Sequence, residues 1–342
     1  MPVTIKDIAK VAGVSHTTVS RALHDHPAIS DETIARVKEL ALSMGYMPNA
    51  TARGLKTRRT RALGVIVSHV DDPFWGEVMY GVDDVLHPAG YSFFVAATHR
   101  DKKREKEIVQ LMVQRGVDGV ILLAPQFSSE QSHLLRTYGL PMAIVNNEGA
   151  GEYEYLIYND DVYGIRLVAH HLIELGHRNI AFLGNKLGGR TNSERERGFC
   201  EELQSAGLEV KQEYIYQAVS GTPEGGLEGC QYLLSLPQIP SAIMCYNDYM
   251  AVGVYSALAK SGLSVPQDIS VCGFDDITIA GYLSPPLTTL HQFKYDLGVG
   301  VAKMMLEMLD LRHNLSGPVP SPRKVAVKGS LIIRESTMSP RS

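Results

Sequence analysis

Apolar residues in the first 46 positions recur every three to four residues, which predicts three short helices. Thr4 can cap the first helix, IKDIAKVA, with Asp7 in the capping-box position, while Ser15 caps HTTVSRAL and Ser30 caps DETIARVKELALSM. Gly13 provides the chain reversal between the first two helices. The apolar positions that would close a small core are Ile5, Ile8, Ala9, Val19, Leu23, Ile34, Val37, Leu40 and Ala41.

From Ala62 onward the pattern changes to short apolar runs that alternate with amphipathic helical stretches. The runs include LGVIVSHV, YSFFVAAT, VDGVILLAP, NIAFLGN, AIMCYND and ISVCGFDD. Strands that are apolar throughout and alternate with helices indicate a parallel sheet covered on both faces, which is an α/β doubly wound fold. Roughly 270 residues of this pattern exceed one such domain, so we expect two similar subdomains.

Charge divides the chain in the same place. Residues 1–61 carry a net charge of +5 within a chain whose total is −4, so the remainder is acidic. A small basic head on an acidic body is typical of a nucleic-acid-binding module joined to another domain. No apolar run approaches the ~20 residues that span a bilayer, and the polar N-terminus does not resemble a signal peptide. We therefore expect a cytoplasmic protein that does not contact a membrane.

The sequence offers little support for cofactors or metals. The four cysteines, Cys200, Cys230, Cys245 and Cys272, form no CxxC pair, and we expect buried free thiols. No GxGxxG opens a strand–turn–helix unit, GNKLGGR lacks the GK[ST] of a phosphate loop, and the histidines lack a set of further ligands. We expect no cofactor, no metal site and no enzymatic activity.

The strings VTIKDIAKVAGVSHTTVSRAL (3–23) and YMPNATARGL (46–55) strongly resemble the LacI/GalR family of transcription regulators. LIELGHRNIAFLG, VPQDISVCGFDD and PPLTTLHQ agree, and the resemblance extends to about Ile333. The resemblance implies a helix-turn-helix head over 1–47, a hinge helix and linker over 48–61, and a body over 62–338 like the type I periplasmic-binding-protein fold. We place its first subdomain at about 62–160 and 293–322, and its second at about 161–291 and 323–338.

The second helix of a helix-turn-helix lies in the major groove of DNA. Val19 and Leu23 would face inward while His16, Thr17 and Arg21 can point out. The family resemblance implies that these three read base edges, and arginine is the best single reader of guanine. Hydroxyls at Thr4, Ser15, Thr18 and Ser20 suit phosphate contacts. By the family pattern, the hinge places Leu55 as a wedge in the minor groove. Ala52 is expected beside the wedge, Arg53 and Lys56 near the DNA backbone, and Asn49 can cap the hinge helix at the DNA.

A ligand cleft is expected where the parallel strands end at their carboxyl edges. The residues predicted to line it are Phe74, Trp75, Asn159, Thr191, Arg195, Asn247, Asp275 and Gln292. Trp75 could instead belong to the core, and Asp248 and Asp276 are expected to cap helices. The family often has an aromatic residue before the PEGG segment, where this chain has Gly221. That departure leaves room for a bulkier ligand, or gives the role of aromatic plate to Tyr246.

These residues predict a repressor that binds a near-palindromic DNA operator as a homodimer, because one helix-turn-helix reads too few base pairs to be selective. Carboxylate, guanidinium and amide groups around an aromatic plate suit a sugar as the effector, and they also suit a nucleobase or nucleoside. A solute-binding protein of transport type remains the alternative for the body alone. The C-terminal segment RESTMSPRS has no leucine heptads, so no helical tetramerisation tail is expected.

Overall fold

The computed structural model describes residues 3–46, 59–124, 127–146, 155–313 and 323–341. They divide into two compact units, Met1–Thr60 and Arg61–Ser342. Within these ranges, no helix is long and apolar enough to cross a membrane. Residues 48–58 of the predicted hinge and linker lie outside the described part of the chain.

In the first unit, residues 3–46 form three helices, α1 (Ile5–Ala12), α2 (His16–Ala22) and α3 (Asp31–Ser43). The Asp7 carboxylate accepts the Thr4 backbone N–H at 2.9 Å, and Ser15 and Ser30 accept backbone N–H groups at the starts of α2 and α3. Gly13 ends α1 with φ 67°, a left-handed conformation that glycine adopts without steric cost. Ile8, Val19 and Val37 are completely buried, so the predicted helices, caps and core of the head are confirmed.

The first subdomain of the second unit is built on a parallel sheet of six strands in the order β11-β5-β4-β3-β1-β2. The strands are β1 (Ala62–Val67), β2 (Ser92–Ala97), β3 (Gly119–Leu123), β4 (Met142–Val145), β5 (Tyr155–Asn159) and β11 (Arg323–Val327). The helices that cover them are α4 (Pro73–Leu86), α5 (Lys102–Arg115), α6 (Ser129–Thr137) and α11 (Lys294–His313). Two buried apolar clusters, one around Val65 and one around Leu122, fill its faces.

The second subdomain repeats this arrangement with the strand order β12-β10-β9-β8-β6-β7. Its strands are β6 (Ile180–Asn185), β7 (Ile215–Ala218), β8 (Ala242–Cys245), β9 (Ser270–Asp275), β10 (Thr288–His291) and β12 (Ser330–Ile332). Its helices are α7 (Asp161–Glu174), α8 (Gly189–Ser205), α9 (Pro223–Leu234) and α10 (Asp248–Lys260). Only β12 pairs antiparallel among these described strands. The predicted architecture of two doubly wound subdomains is confirmed.

One predicted boundary is wrong. Residues 323–327 were expected in the second subdomain, but β11 pairs with β5 in the first sheet. The Val327 carbonyl accepts the Asp160 N–H at 2.9 Å, which continues this pairing to the end of β5. The chain therefore crosses between subdomains at three places: after β5, between β10 and α11, and between β11 and β12.

The cysteines are free thiols, as expected, and Cys230, Cys245 and Cys272 are buried while Cys200 is partly exposed. Burial raises the pKa of Cys230 to about 12. A thiol held protonated in this way is a weak nucleophile, so Cys230 acts as a small apolar residue of the core.

Helices α9 and α10 pack so closely that glycine is required where their backbones meet. A Cβ on Gly253 would overlap the carbonyl oxygen of Pro223, and a Cβ on Gly226 would overlap that of Met250. Because backbone cannot yield as a flexible side chain does, we expect Gly253→Ala to lower the free energy of unfolding by roughly 1–3 kcal/mol. Urea unfolding measures this change. Gly281→Ala is the matched control, since no described atom lies within 4 Å of its added Cβ, and equal stability of the two variants would contradict the prediction.

Candidate DNA-binding head and ligand cleft

The outward face of α2 carries the residues that were predicted to read bases. His16, Thr17 and Arg21 are exposed, whereas Val19 is completely buried and Leu23 packs against the core. Within the described residues, the Arg21 guanidinium has no ion pair. The helix therefore presents a free cation and two polar side chains on one surface, the arrangement that a major groove accepts.

The hydroxyls proposed for phosphate contacts also hold the helix starts. Thr4 Oγ1 donates to Asp7 at 2.7 Å, and Ser15 and Thr18 share a hydrogen bond of 2.9 Å between their hydroxyls. The hydrogen bonds from Thr4 lower the pKa of Asp7. Ser20 is partly exposed on α2. These caps fix the directions of α1 and α2 before any DNA is bound. The five hinge candidates, Asn49, Ala52, Arg53, Leu55 and Lys56, lie outside the described residues.

A cleft of about 330 Å³ lies in the second unit between its two subdomains. Six predicted residues line it: Phe74, Trp75, Thr191, Arg195, Asn247 and Asp275. The others that line it are Ser68, His69, Asp71, Asp72, Arg100, Asn146, Asn185, Leu187, Ser220, Gly221, Thr222, Tyr246 and Tyr249. Nearly all follow the carboxyl ends of parallel strands, where open α/β sheets bind ligands.

Arg195, on α8, is the central charged group of the cleft and is only 3% exposed. Its Nε donates to Asp161 Oδ1 at 2.9 Å, and another of its nitrogens lies 3.5 Å from Asp275 Oδ1. Its guanidinium also donates to the Tyr246 carbonyl and lies 3.7 Å from the centre of the Phe274 ring. A guanidinium fixed by two carboxylates and an aromatic face is preorganised to hold a polar ligand in one orientation.

Aromatic rings lie on both sides of the cleft. Phe74 and Trp75, at the start of α4, pack edge to face with their ring centres 4.8 Å apart. Asp72 positions them by accepting the Phe74 N–H at 3.0 Å. Trp75 is 4% exposed and belongs to the core of the first subdomain as well as to the cleft. The expectation that it lines the cleft and the alternative that it is core are therefore both met.

Tyr246 lies beside Gly221 on the second subdomain. A Cβ on Gly221 would lie 3.1 Å from the Tyr246 ring and 3.0 Å from Asn185. These two side chains therefore occupy the space next to position 221. Burial raises the pKa of Tyr246 to about 12, so its hydroxyl remains a neutral hydrogen-bonding group.

Burial also changes the carboxylates of the cleft. It raises the pKa of Asp275 to about 7, although Arg195 and Lys294 attract the charged form and oppose the rise. The pKa of Asp161 is raised for the same reason, with Arg195 again opposing. Asp275 can therefore change its protonation state near neutral pH, where most carboxylates are fully ionised.

The raised pKa of Asp275 makes stability depend on pH. Between about pH 4 and pH 7 the unfolded chain has released a proton that folded Asp275 retains, so stability falls as pH rises, by up to about 1.4 kcal/mol per pH unit. We expect the stability of wild type relative to Asp275→Asn to fall across this window and to become constant above it. Urea unfolding of both proteins at several pH values measures the difference. A difference that does not change with pH would show that folded Asp275 is ionised throughout.

Two predicted cleft residues lie behind the lining. Gln292 is 1% exposed and donates from Nε2 to Asp275 Oδ1, so it supports a residue of the cleft. Asn159 is buried at the end of β5, and its backbone N–H donates to Asn146 Oδ1 at 2.9 Å. Asn146 is the residue of this pair that lines the cleft. Both Asn159 and Gln292 directly precede a crossover between subdomains.

The caps expected from Asp248 and Asp276 are also wrong. Asn247 caps α10 by accepting the Met250 N–H at 2.8 Å. Asp248 is completely buried and accepts the Ile277 N–H at 2.8 Å as well as the Thr289 hydroxyl. Asp276 accepts hydrogen bonds from Arg334 and pairs with His291. These two carboxylates join loop and strand ends, a use that spacing along the chain does not reveal.

Sequence reasoning missed several groups of the cleft, including Arg100, Asn146, Asn185 and the buried Asp161. Asn146 and Asn185 directly follow or end apolar strands, so the position that identified Asn247 could have found them. Asp161 begins α7 and has no such signal. Among the residues that the structure describes, no group of His, Cys, Asp and Glu could hold a metal ion.

Comparison with known proteins agrees with this architecture. Residues 4–49 match the family described as "Bacterial regulatory proteins, lacI family", and residues 169–337 match a periplasmic binding protein-like domain. The HTH-type transcriptional repressor PurR of Actinobacillus pleuropneumoniae serotype 3 (strain JL03) is 33% identical over 333 residues, covering 97% of this chain and 98% of that protein.

Two solved structures are also similar. The lac repressor dimer bound to operator and the anti-inducer ONPF has a TM-score of 0.87 at 25% identity, covering 99% of this chain and all of that one. The complex of the regulator CelR with cellobiose has a TM-score of 0.74 at 27% identity, covering 98% and 100%. This chain therefore belongs to the LacI family of bacterial regulatory proteins, and it is a DNA-binding transcription repressor rather than an enzyme.

Proposed function

We propose that this repressor binds a near-palindromic operator as a homodimer, and that a purine nucleobase or nucleoside in the cleft sets its operator affinity. The observation that carries the proposal is the cleft itself, where Arg195, Asp275 and the Phe74–Trp75 pair meet between two subdomains. A ligand that contacts both subdomains favours one relative orientation of them, and only such differential affinity can shift the equilibrium. A repressor acts where the chromosome is, which places this function in the cytoplasm.

The purine assignment is supported by the relatives named PurR, a name given to purine-responsive repressors. It also suits the chemistry of the cleft. Trp75 and Tyr246 supply aromatic faces, while Arg195, Asn185 and Asp275 supply donors and acceptors that can pair with the edge of a base. The volume of about 330 Å³ is at the small end of the range for small-molecule sites, which suits a bicyclic base.

A sugar, which the residue types first suggested, is the second candidate. The specific observation in its favour is Gly221, which presents no aromatic side chain to the cleft next to polar Ser220 and Thr222. The similar CelR structure holds cellobiose. A polyhydroxylated ligand would use the same Arg195–Asp275 pair through its hydroxyls.

Isothermal titration of the purified full chain distinguishes the candidates. The panel is adenine, guanine, adenosine, ribose and cellobiose, and each ligand that binds is then added to an operator-binding assay. The proposal requires a purine to bind and to change operator affinity. Binding and response to ribose or cellobiose alone would establish the sugar candidate, and binding without any change in operator affinity would overturn the regulatory role of the cleft.

For DNA, we propose direct base contacts from His16, Thr17 and Arg21, and a minor-groove role for the hinge over 48–61 with Leu55 as the wedge. Support comes from the exposed face of α2 and the resemblance of the PNATARGL string to the family's hinge. Sedimentation and DNA-bending assays test these points. A tetramer at micromolar concentration, or equal bending by Leu55→Ala and wild type, would contradict them.

A further inference from the structure

Lys294 is a charged residue buried where the chain returns from the second subdomain to the first. It begins α11, directly after the crossover that follows β10, and its side chain is completely buried. Burying an ammonium group without partners is very costly, so a lysine in this position must be matched by fixed acceptors. The DNA-binding and ligand-binding predictions above make no use of it.

The acceptors belong to the strand end that carries Asp275. Lys294 Nζ donates to the backbone carbonyl of Asp275 at 2.6 Å and to that of Asp276 at 2.9 Å. A lysine ammonium has three protons on a compact head, so it can bond two adjacent carbonyls and still face a third partner. These two bonds fix two successive peptide groups, the one between Asp275 and Asp276 and the one that follows Asp276.

This backbone is strained. Asp275 has φ 111° and Asp276 has φ 53°, values that non-glycine residues seldom adopt. Such a conformation persists only where its surroundings hold it, and it occurs most often at ligand clamps and switches. Gln292 holds the Asp275 side chain, and Arg334 and His291 hold that of Asp276. Lys294 holds the main-chain carbonyls of Asp275 and Asp276.

The third partner of Lys294 belongs, like α11 itself, to the first subdomain. Glu77 Oε1 lies 3.5 Å from Lys294 Nζ, and its side chain is partly exposed. Glu77 lies on α4, the helix whose first turn carries Phe74 and Trp75. One ammonium group therefore contacts the strand end that bears Asp275 and the helix that bears the aromatic pair.

We propose that Lys294 is a positioning residue that holds Asp275 for the ligand, and that, fixed on the first subdomain by its ion pair with Glu77, it couples occupancy of the cleft to the arrangement of the two subdomains. This inference rests on the proposed ligand function of the cleft. Without the ammonium, the strained carbonyls lose their donors and Asp275 turns from its ligand-binding direction. Without the Glu77 charge both carbonyl bonds remain and Asp275 stays placed, but the ammonium is held less firmly on the first subdomain, so movement of the second subdomain is transmitted to it less fully.

Two variants separate the two roles. Lys294→Met keeps the length of the stem and removes the charge, and we expect it to weaken ligand binding by about ten- to a hundredfold, the effect of losing hydrogen bonds to a charged group. Glu77→Gln leaves both carbonyl bonds intact, so ligand affinity stays within about threefold while the ligand-induced change in operator affinity falls at least about fivefold. Lys303→Met, an exposed lysine on the same helix, is the matched control and should change neither quantity.

A readout that needs no ligand keeps this inference distinct from the proposed function. In hydrogen–deuterium exchange, the segment 275–278 should exchange faster in Lys294→Met than in wild type, and at the wild-type rate in Glu77→Gln. If no ligand of the panel binds wild type, the proposed function fails. Hydrogen–deuterium exchange of the segment 275–278 then tests by itself whether Lys294 holds Asp275 in place. Unchanged exchange in Lys294→Met, or equal losses of ligand affinity and coupling in both variants, would overturn the role of Lys294. Lys294→Gln, whose side-chain amide retains two N–H donors without the charge, replaces the methionine variant if that does not fold.

Discussion

Replacing Asp275 with alanine is expected to abolish the ligand response while leaving operator affinity in the absence of ligand nearly unchanged. Asp275 ends β9, lines the cleft and lies 3.5 Å from the Arg195 guanidinium. Removing a buried carboxylate that hydrogen-bonds a ligand costs about a hundredfold or more in affinity, because the ligand's donor is left unpaired in a site that excludes water. The DNA-reading residues belong to the separate unit that ends at Thr60, so their surface is not altered.

The variant should remain folded. Burial opposes the charged form of Asp275 and raises its pKa to about 7, so replacing it removes a group whose ionisation costs stability, and Arg195 keeps its hydrogen bond to Asp161. Operator affinity of wild type and variant, each with and without the ligand that titration identifies, is the measurement. Asp310→Ala, at an exposed position of α11, is the control. If the Asp275→Ala variant responds fully to ligand, or is folded but does not bind operator, Asp275 is not a ligand-binding residue of the cleft.

Replacing Arg21 with alanine is expected to weaken binding to the specific operator by roughly 1–3 kcal/mol, about five- to 150-fold, and to weaken binding to random DNA far less. Arg21 is exposed on α2 beside His16 and Thr17, opposite the buried Val19. A guanidinium that bonds a guanine edge contributes only where that guanine is present, whereas a phosphate contact contributes on every sequence.

Fluorescence anisotropy with an operator duplex and a scrambled duplex at one salt concentration measures both affinities. Lys10→Ala removes one positive charge from an exposed position of α1, and so controls for the net charge of the head. Equal losses on the two duplexes in Arg21→Ala would show that Arg21 contacts phosphate alone. If Lys10→Ala loses as much operator affinity, and as selectively, as Arg21→Ala, then α2 is not the helix that reads the bases.

The residue types of the cleft alone do not distinguish between the two candidate classes of effector. Carboxylate, guanidinium, amide and aromatic groups serve a sugar and a purine almost equally, because both need directional hydrogen bonds and a flat apolar contact. The groups around Arg195 and Tyr246 offer hydrogen-bonding partners and an aromatic ring to either. The relatives named PurR therefore carry the choice of a purine, and the titration panel tests it directly.

The sequence by itself determined the features that depend on local chemistry. Capping side chains at Thr4, Ser15 and Ser30 act on backbone groups within three residues, so the helices of the head follow from spacing alone. Apolar runs indicated the strands of both sheets, and their carboxyl ends located six of the eight predicted cleft residues, since parallel strands end at one edge.

Only the tertiary structure decided which partners meet across long separations. The short strand β11 could extend either sheet, and its pairing with β5, more than 150 residues earlier, assigned it to the first. Asn159 ends a strand and Gln292 directly follows one, as Asp275 ends β9, yet neither lines the cleft and both are buried behind residues that do. Lys294 resembles any polar residue at the start of a helix. Its burial against the carbonyls of Asp275 and Asp276 depends on how two subdomains meet, which no local pattern encodes.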